Sequence, residues 1–321
     1  MKKLLLTAAL AAGLCVPALK AETISLGSAS YDFTTEVERE IAPGVTYKYL
    51  KAAGRNGSGG YASCGTHVYL VIADLTNPTV SVDYYTASGT TGGSTASLSS
   101  IASKHEGTDH HVVAGANANF WITSEQPWTS QMAYQPHGTA ISGGETYVQN
   151  ATGGYGSHIG GPAQTGMIAF TADGRMKINY YAPKLEFLNT RINHVLDLRD
   201  FNRTVCEGSA VVYTPAWGRT KAFKPVTLNS SNKWDIVSGK CTEVYLSLAE
   251  GETAMKVGGT GTTKYVIKDI KKNAGTGTLG NYDLCIVGQD ISGAPYASVL
   301  ANNYKVGAEL ILTNHFITDG V

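Results

Sequence analysis

β-branched and aromatic side chains dominate residues 45–51, 66–75 and 79–86, as a continuous apolar run at 68–73 and in alternation with polar residues at 45–49 and 80–84. That pattern predicts strands, the alternating ones with one face in a core and the other in water. Asn77-Pro78 marks a turn between the second and third stretches, so these two are expected to form a hairpin. The period changes over residues 94–107, where Leu98, Ile101, Ala102 and His105 recur at helical spacing, with Ser94 or Thr95 as N-cap and Gly107 as the stop. A short apolar run at 112–115 reads as a buried strand. Asp173-Gly174 separates apolar runs at 167–171 and 175–180 and signals a hairpin, because Asp and Gly tolerate the positive φ that a tight turn requires. Further strands are expected at 210–214, 242–248, 265–270, 284–287 and 309–313, separated by Gly, Asn, Ser and Pro. The pattern as a whole is that of an α+β fold, predominantly β-sheet with few helices. A shift in composition at Tyr181-Ala-Pro183 divides residues 22–182 from an inserted β-module at 183–321, and no internal repeat is evident.

Charge and composition narrow the class. The 321 residues carry 25 basic and 25 acidic side chains, and a formal net charge of zero offers no field to attract nucleic acid. The 37 glycines and 18 tyrosines, beside only 16% charged residues, resemble extracellular β-rich proteins that act on or adhere to carbohydrate. Met1-Lys-Lys followed by an apolar run to Leu19 has the charge and length of a signal peptide and is too short to cross a bilayer. Residues 1–21 are therefore expected to direct export, with cleavage after Ala18 or Ala21. The product would be soluble and periplasmic, cell-surface or secreted, without a transmembrane segment. Beyond the signal, Cys64, Cys206, Cys241 and Cys285 allow one or two disulfides in three possible pairings, or buried thiols acting as small apolar residues.

The candidate chemistry lies where the strand pattern breaks. Ala114-Gly-Ala-Asn-Ala-Asn-Phe-Trp121 interrupts an apolar run with two amides and two aromatics, and Pro136-His-Gly-Thr-Ala-Ile-Ser-Gly-Gly-Glu145 supplies a glycine-rich turn to face it. Asn117 and Asn119 share a face if the strand continues, and their amides suit hydroxyl or phosphate oxygens. His137 could donate to a phosphate or protonate a leaving oxygen. Glycoside chemistry needs two carboxyls ~5–9 Å apart, and Glu125 and Glu145 flank the motif. Each has an ordinary alternative: amides that satisfy loop backbone, a loop histidine, an exposed glutamate at a strand start. Gly275-Thr-Gly-Thr-Leu-Gly280 matches a dinucleotide fingerprint in letters only, since it precedes a strand instead of opening a helix, and reads as a turn. His105, Glu106, Asp109, His110 and His111 crowd a helix end without metal-ligand spacing, so neither metal nor cofactor is expected.

Ala114 to Trp121 resembles the Ala-Gly-x-Asn-Gly-x-Phe-Phe signature of the phosphodiester glycosidase family, which includes the enzyme that removes N-acetylglucosamine from mannose 6-phosphate. Pro136-x-Gly138 to Gly144-Glu145 resembles that family's next segment, and residues 166–178 its Asp-Gly hairpin. Arg191-Ile-Asn193 with Ser209 to Gly218 is similar to its central module, and Lys305-Val-Gly307 to Thr313 to a closing strand. The resemblance implies hydrolysis of a glycosyl phosphodiester, with Glu145 and His137 as catalytic groups. Asn117, Asn119, Arg191 and Asn193 would hold a carbohydrate or sugar-phosphate substrate, Arg191 through a bidentate phosphate contact. Ala118 and Trp121 replace the family's usual glycine and phenylalanine. The family's later Gly-Gly-x-Pro-x-Leu, Arg-Thr-Ala and Leu-Asp-Gly-Gly-Gly-Ser segments do not occur before Val321, so the C-terminal part of the catalytic domain is expected to be missing. The alternative function is that of a non-catalytic envelope or secreted glycan-binding protein.

Overall fold

A computed structural model describes residues 22–26, 29–52, 66–89, 95–117, 139–142, 145–148, 166–170, 176–228, 230–231, 234–257 and 260–318. The chain divides into two compact units, Met1–Ser81 and Val82–Val321. Residues 1–21, expected to be a signal segment, lie outside the described residues.

In the first unit, β1 (Glu22–Leu26), β2 (Ala29–Ala42), β3 (Val45–Ala52) and β4 (Thr66–Ala73) form an antiparallel sheet in sequence order. Phe33, Leu50 and Ala52 are buried on one face, with Tyr31, Val68 and Leu70 packed against them. The opposite face is aromatic: Tyr49 pairs across the strands with Tyr69, their rings stacked 5.0 Å apart, and its hydroxyl meets His67 Nδ1 at 2.6 Å. Residues 79–86, expected as a strand paired with β4, are not one. The side chain of Asp74 accepts from Thr76 N–H and that of Asn77 from Thr79 N–H, while Asp74 N–H donates to Gly44 O. These local bonds wrap the chain back onto the β2–β3 turn, and β4 pairs with β3 instead.

The second unit opens with α1 (Leu98–His105), where Ser97, later than the expected caps, accepts from Ser100 N–H. The run 112–117 is irregular and mostly exposed, not a buried strand. Val112 N–H, a donor that a ladder would need, is held by Glu106 Oε1 at 2.9 Å. Next come the hairpin of β5 (Ala140–Ser142) and β6 (Glu145–Val148), then that of β7 (Gly166–Phe170) and β8 (Met176–Asn189). Phe170 pairs with Met176, so a hairpin forms across Asp173-Gly174, although the turn itself lies outside the described residues. Positions 182 and 183 both fall inside β8.

The remaining strands are β9 (His194–Leu198), β10 (Val205–Cys206), β11 (Ala210–Tyr213), β12 (Pro225–Leu228), β13 (Trp234–Ile236), β14 (Cys241–Leu248), β15 (Gly261–Ala274), β16 (Leu284–Ile291), β17 (Ala294–Pro295) and β18 (Glu309–Thr318). A 3-10 turn at Pro215–Trp217 follows β11, and α2 (Tyr296–Asn303) precedes β18. A large curled sheet runs β11-β16-β14-β15-β18-β8-β7, with β17 beside β16 and β9 beside β8; β10, β12 and β13 form a second, small sheet.

Alternation explains the core. Ala210, Val212, Leu284, Ile286, Val244 and Leu246 point to one side with Leu300 of α2. Their neighbours Val211, Tyr213, Cys285, Val287 and Tyr245 point to the other, with Trp217 and Phe223. The central strands are buried on both faces, which is why they read as continuous apolar runs. Gly288 is where α2 rests on β16: a Cβ there would sit 2.9 Å from Leu300 Cδ1 and 3.0 Å from the backbone of Tyr296. The protein is thus α+β and predominantly β-sheet.

Candidate functional site around Glu145

Glu145 begins β6, immediately after the Gly143-Gly144 pair, and is half-buried. Desolvation pushes its carboxyl above the usual carboxylate range, partly offset by hydrogen bonding from the Thr214 side chain and the Val257 backbone and by the Lys256 charge. The neighbouring Thr146 is fully buried and its N–H donates to Val257 O, which ties β6 to the segment after β14.

A polar cluster supports this strand. Asn202 is fully buried; its Nδ2 donates to Thr146 O at 3.1 Å and to Thr214 Oγ1 at 3.0 Å, and its Oδ1 accepts from Thr214 N–H at 2.8 Å. Asn202 adopts φ 49°, a left-handed conformation that asparagine tolerates better than most residues. Next to it, Arg203 and Asp200 form an ion pair at 2.7 Å with both side chains 1% exposed. Arg203 also donates to Thr204 O, and its own carbonyl accepts from Tyr213 O–H. Buried charges require this degree of pairing, because an unpaired ion there is strongly destabilising. Pairing of Phe201 with Val212, and of Asn202 N–H with Val212 O, fixes the 200–204 segment beside β11.

The other expected site residues are placed differently. Arg191 and Asn193 lie exposed in the turn between β8 and β9. Asn193 has φ 48°, and Arg191 N–H donates to Asn189 Oδ1, so the turn itself uses both residues. Asn117 is exposed in the irregular segment after α1. Asn119 and His137 lie outside the described residues, as does Glu125. Among the described contacts none joins Asn117, Arg191 or Asn193 to Glu145; its partners are Thr214, Lys256 and Val257. Asn202, Thr214 and Lys256 escaped the sequence reading. The turn of 200–204 before β11 could have drawn attention to Asn202, since Asp-Phe-Asn-Arg places three polar groups just ahead of an apolar strand.

The remaining motifs also resolve. Glu243 is fully buried: Oε1 accepts from Gly275 N–H at 2.8 Å and Gly277 N–H at 2.9 Å, and Oε2 from Tyr245 O–H at 2.6 Å. The glycine run is a turn that closes over this carboxylate, and a Cβ at Gly277 would collide with it and with Tyr245. The histidines near α1 pair with carboxylates on the surface, His110 with Asp109 at 2.9 Å and His111 with Glu106 at 3.0 Å. Among the described residues no cluster could hold a metal. Cys206, Cys241 and Cys285 are buried free thiols, so no disulfide joins any two of them; Cys64 lies outside the described residues. Among the described residues no helix is long and apolar enough to cross a membrane.

No family model matches the chain, and no curated protein matches it. It is similar to a solved structure, the crystal structure of a hypothetical protein from Synechocystis, with a TM-score of 0.56 and 16% identity. The match covers 93% of this chain and 49% of that one, so the chain spans about half the length of the solved structure. At that identity the likeness shows a shared fold.

Proposed function

We propose that this is an exported protein of the phosphodiester glycosidase type, which hydrolyses a glycosyl phosphodiester with Glu145 as general acid. The observation that carries the reading is the half-buried Glu145 carboxyl, with its raised pKa, beside Thr214 and Lys256. A carboxyl whose pKa is raised by desolvation holds its proton more tightly than a free glutamate and can give it to a leaving oxygen, and Lys256 brings positive charge near it. His137 is the second proposed catalytic group, and Asn117, Asn119, Arg191 and Asn193 are the proposed substrate contacts. The test is release of sugar from a chromogenic glycosyl phosphodiester. Glu145→Gln should lower kcat/KM by about 10²–10⁴-fold; full activity in that variant would exclude Glu145 as the acid.

A second reading, a non-catalytic glycan-binding protein, is favoured by the open aromatic face of the first unit, where Tyr69 is 65% exposed beside Tyr49. It predicts retention on immobilised polysaccharide that Tyr69→Ala weakens, with no sugar released.

A further inference from the structure

We propose that the aromatic face of the first unit's sheet binds an acidic polysaccharide, with sugar rings on Tyr49 and Tyr69 and carboxylates on Arg39 and Lys51; this rests on the reading of that face as a glycan-binding surface. Alternation along β3 sets Tyr47, Tyr49 and Lys51 on one side of the sheet. Cross-strand pairing aligns Arg39 of β2 with Tyr47, and Tyr69 and His67 of β4 with Tyr49 and Lys51. The face is thus an aromatic centre with Arg39 toward one end and Lys51 toward the other.

The centre is built in advance of any ligand. Tyr49 stacks on Tyr69 with centroids 5.0 Å apart and planes 9° from parallel, and on His67 at 5.8 Å and 7°. Its hydroxyl meets His67 Nδ1 at 2.6 Å, which ties the rings together. Side chains already held in place lose little freedom on binding. Tyr69 is 65% exposed on the outermost strand, which leaves ring surface open. The C–H groups of a sugar pack on the negative face of such a ring while the hydroxyls stay in water.

Charge selects the kind of glycan. Arg39 and Lys51 are exposed, and among the described residues neither enters an ion pair; the Arg39 guanidinium rests 5.9 Å from the centre of the Tyr47 ring. Glu38 is bound to Lys48 at 2.8 Å, and alternation puts Lys48 on the opposite side of β3 from Tyr47 and Tyr49. Glu36, at the bulge between Thr35 and Val37, is the acid whose charge is felt at the Tyr49 hydroxyl. Two cations therefore outweigh one carboxylate around the rings, and a guanidinium matches a carboxylate in two parallel hydrogen bonds. The rows of Arg39 and Lys51, set by Tyr47 and Lys51 on β3, lie about 13 Å apart, so the occupant is a chain of sugars and not a single ring.

The test is calorimetric titration of the full chain with a galacturonate hexamer, its methyl ester, and an oligothymidylate of matched length. The acid hexamer should bind more tightly than the ester, and the advantage should shrink as salt is raised. Arg39→Ala and Lys51→Ala should each weaken the acid form by about twofold to fivefold and leave the ester unmoved. Tyr69→Ala should weaken both forms by about twofold to tenfold. All three side chains are exposed, so the core needs none of them. Equal affinity for acid and ester overturns the choice of an acidic glycan and leaves the glycan-binding reading standing. Binding of the acid form that neither Arg39→Ala nor Lys51→Ala changes overturns the proposed face. Tighter binding of the oligothymidylate assigns the face to single-stranded nucleic acid and overturns the proposal, and no binding of either hexamer overturns the glycan-binding reading with it.

Discussion

Glu145, the proposed general acid, is a residue where the proposed chemistry and stability pull in opposite directions. Its pKa in the folded protein lies above the ordinary 4.5, so the folded state holds the proton more tightly than the unfolded chain does. Its contribution to stability is complete at acid pH and is lost as pH rises from the ordinary glutamate value through the folded one. Glu145→Gln is therefore expected to melt at a higher temperature than wild type at pH 7 and to match it in acid, which thermal melts across that range would check. Gly277 carries the reverse lesson. Gly277→Ala would force the turn off Glu243, leaving a buried carboxylate short of donors, and should cost about 3 kcal/mol or more in denaturant unfolding. Glu145 itself was legible in the sequence, from a glutamate placed after two glycines at a strand start. Its supports were not, because Asn202 lies 56 residues from Thr146 and 12 from Thr214. No local pattern announces a bond closed by tertiary folding. Arg191 and Asn193 are exposed polar residues of a turn that itself uses the Arg191 N–H and the left-handed backbone of Asn193.

Elements were read most reliably where β-branched and aromatic residues were dense and bounded by turn residues: β3, β4, the β7–β8 hairpin and β14 fell where that pattern placed them. Residues 79–86 had the same pattern and no partner, because pairing is decided by which strand arrives alongside and not by propensity. α2 was missed although Tyr296, Val299, Leu300 and Tyr304 recur at helical spacing, since eight residues between strands gave too short a window. Leu300 is its anchor, fully buried against the sheet. Leu300→Ala should lose about 2–5 kcal/mol, read from the denaturant midpoint. The turn after α1 depends on charge instead. His111 and Val112 N–H hold Glu106 below its usual pKa, so this contribution is present above the ordinary glutamate range and is lost as pH falls through the depressed value. His110 is raised by Asp109, and that contribution is lost as pH rises through the histidine range. The protection factor for hydrogen exchange at Val112 should therefore fall in acid, and the His110 contact should weaken above neutral pH.

At the scale of the whole molecule, the β-rich α+β class was plain from composition and alternation, whereas the break between residues 81 and 82 left no mark in either. Two adjacent units with the same strand chemistry offer no shift in composition to read. The proposed export can be checked by charge. Removal of residues 1–21 takes away Lys2, Lys3 and Lys20 and no acid, so the mature chain should focus on the acidic side of the full-length pI of about 7.1. The thiols then become instruments. Cys241 and Cys285 lie between the central strands of the large sheet and Trp217 and Phe223, and burial pushes both thiols up, Cys241 to about 12. A thiol kept protonated and out of water is inert to alkylation. Each labelling event at these two positions would thus be a timed record of the sheet parting from that layer, and its rate a clock for how often this molecule breathes.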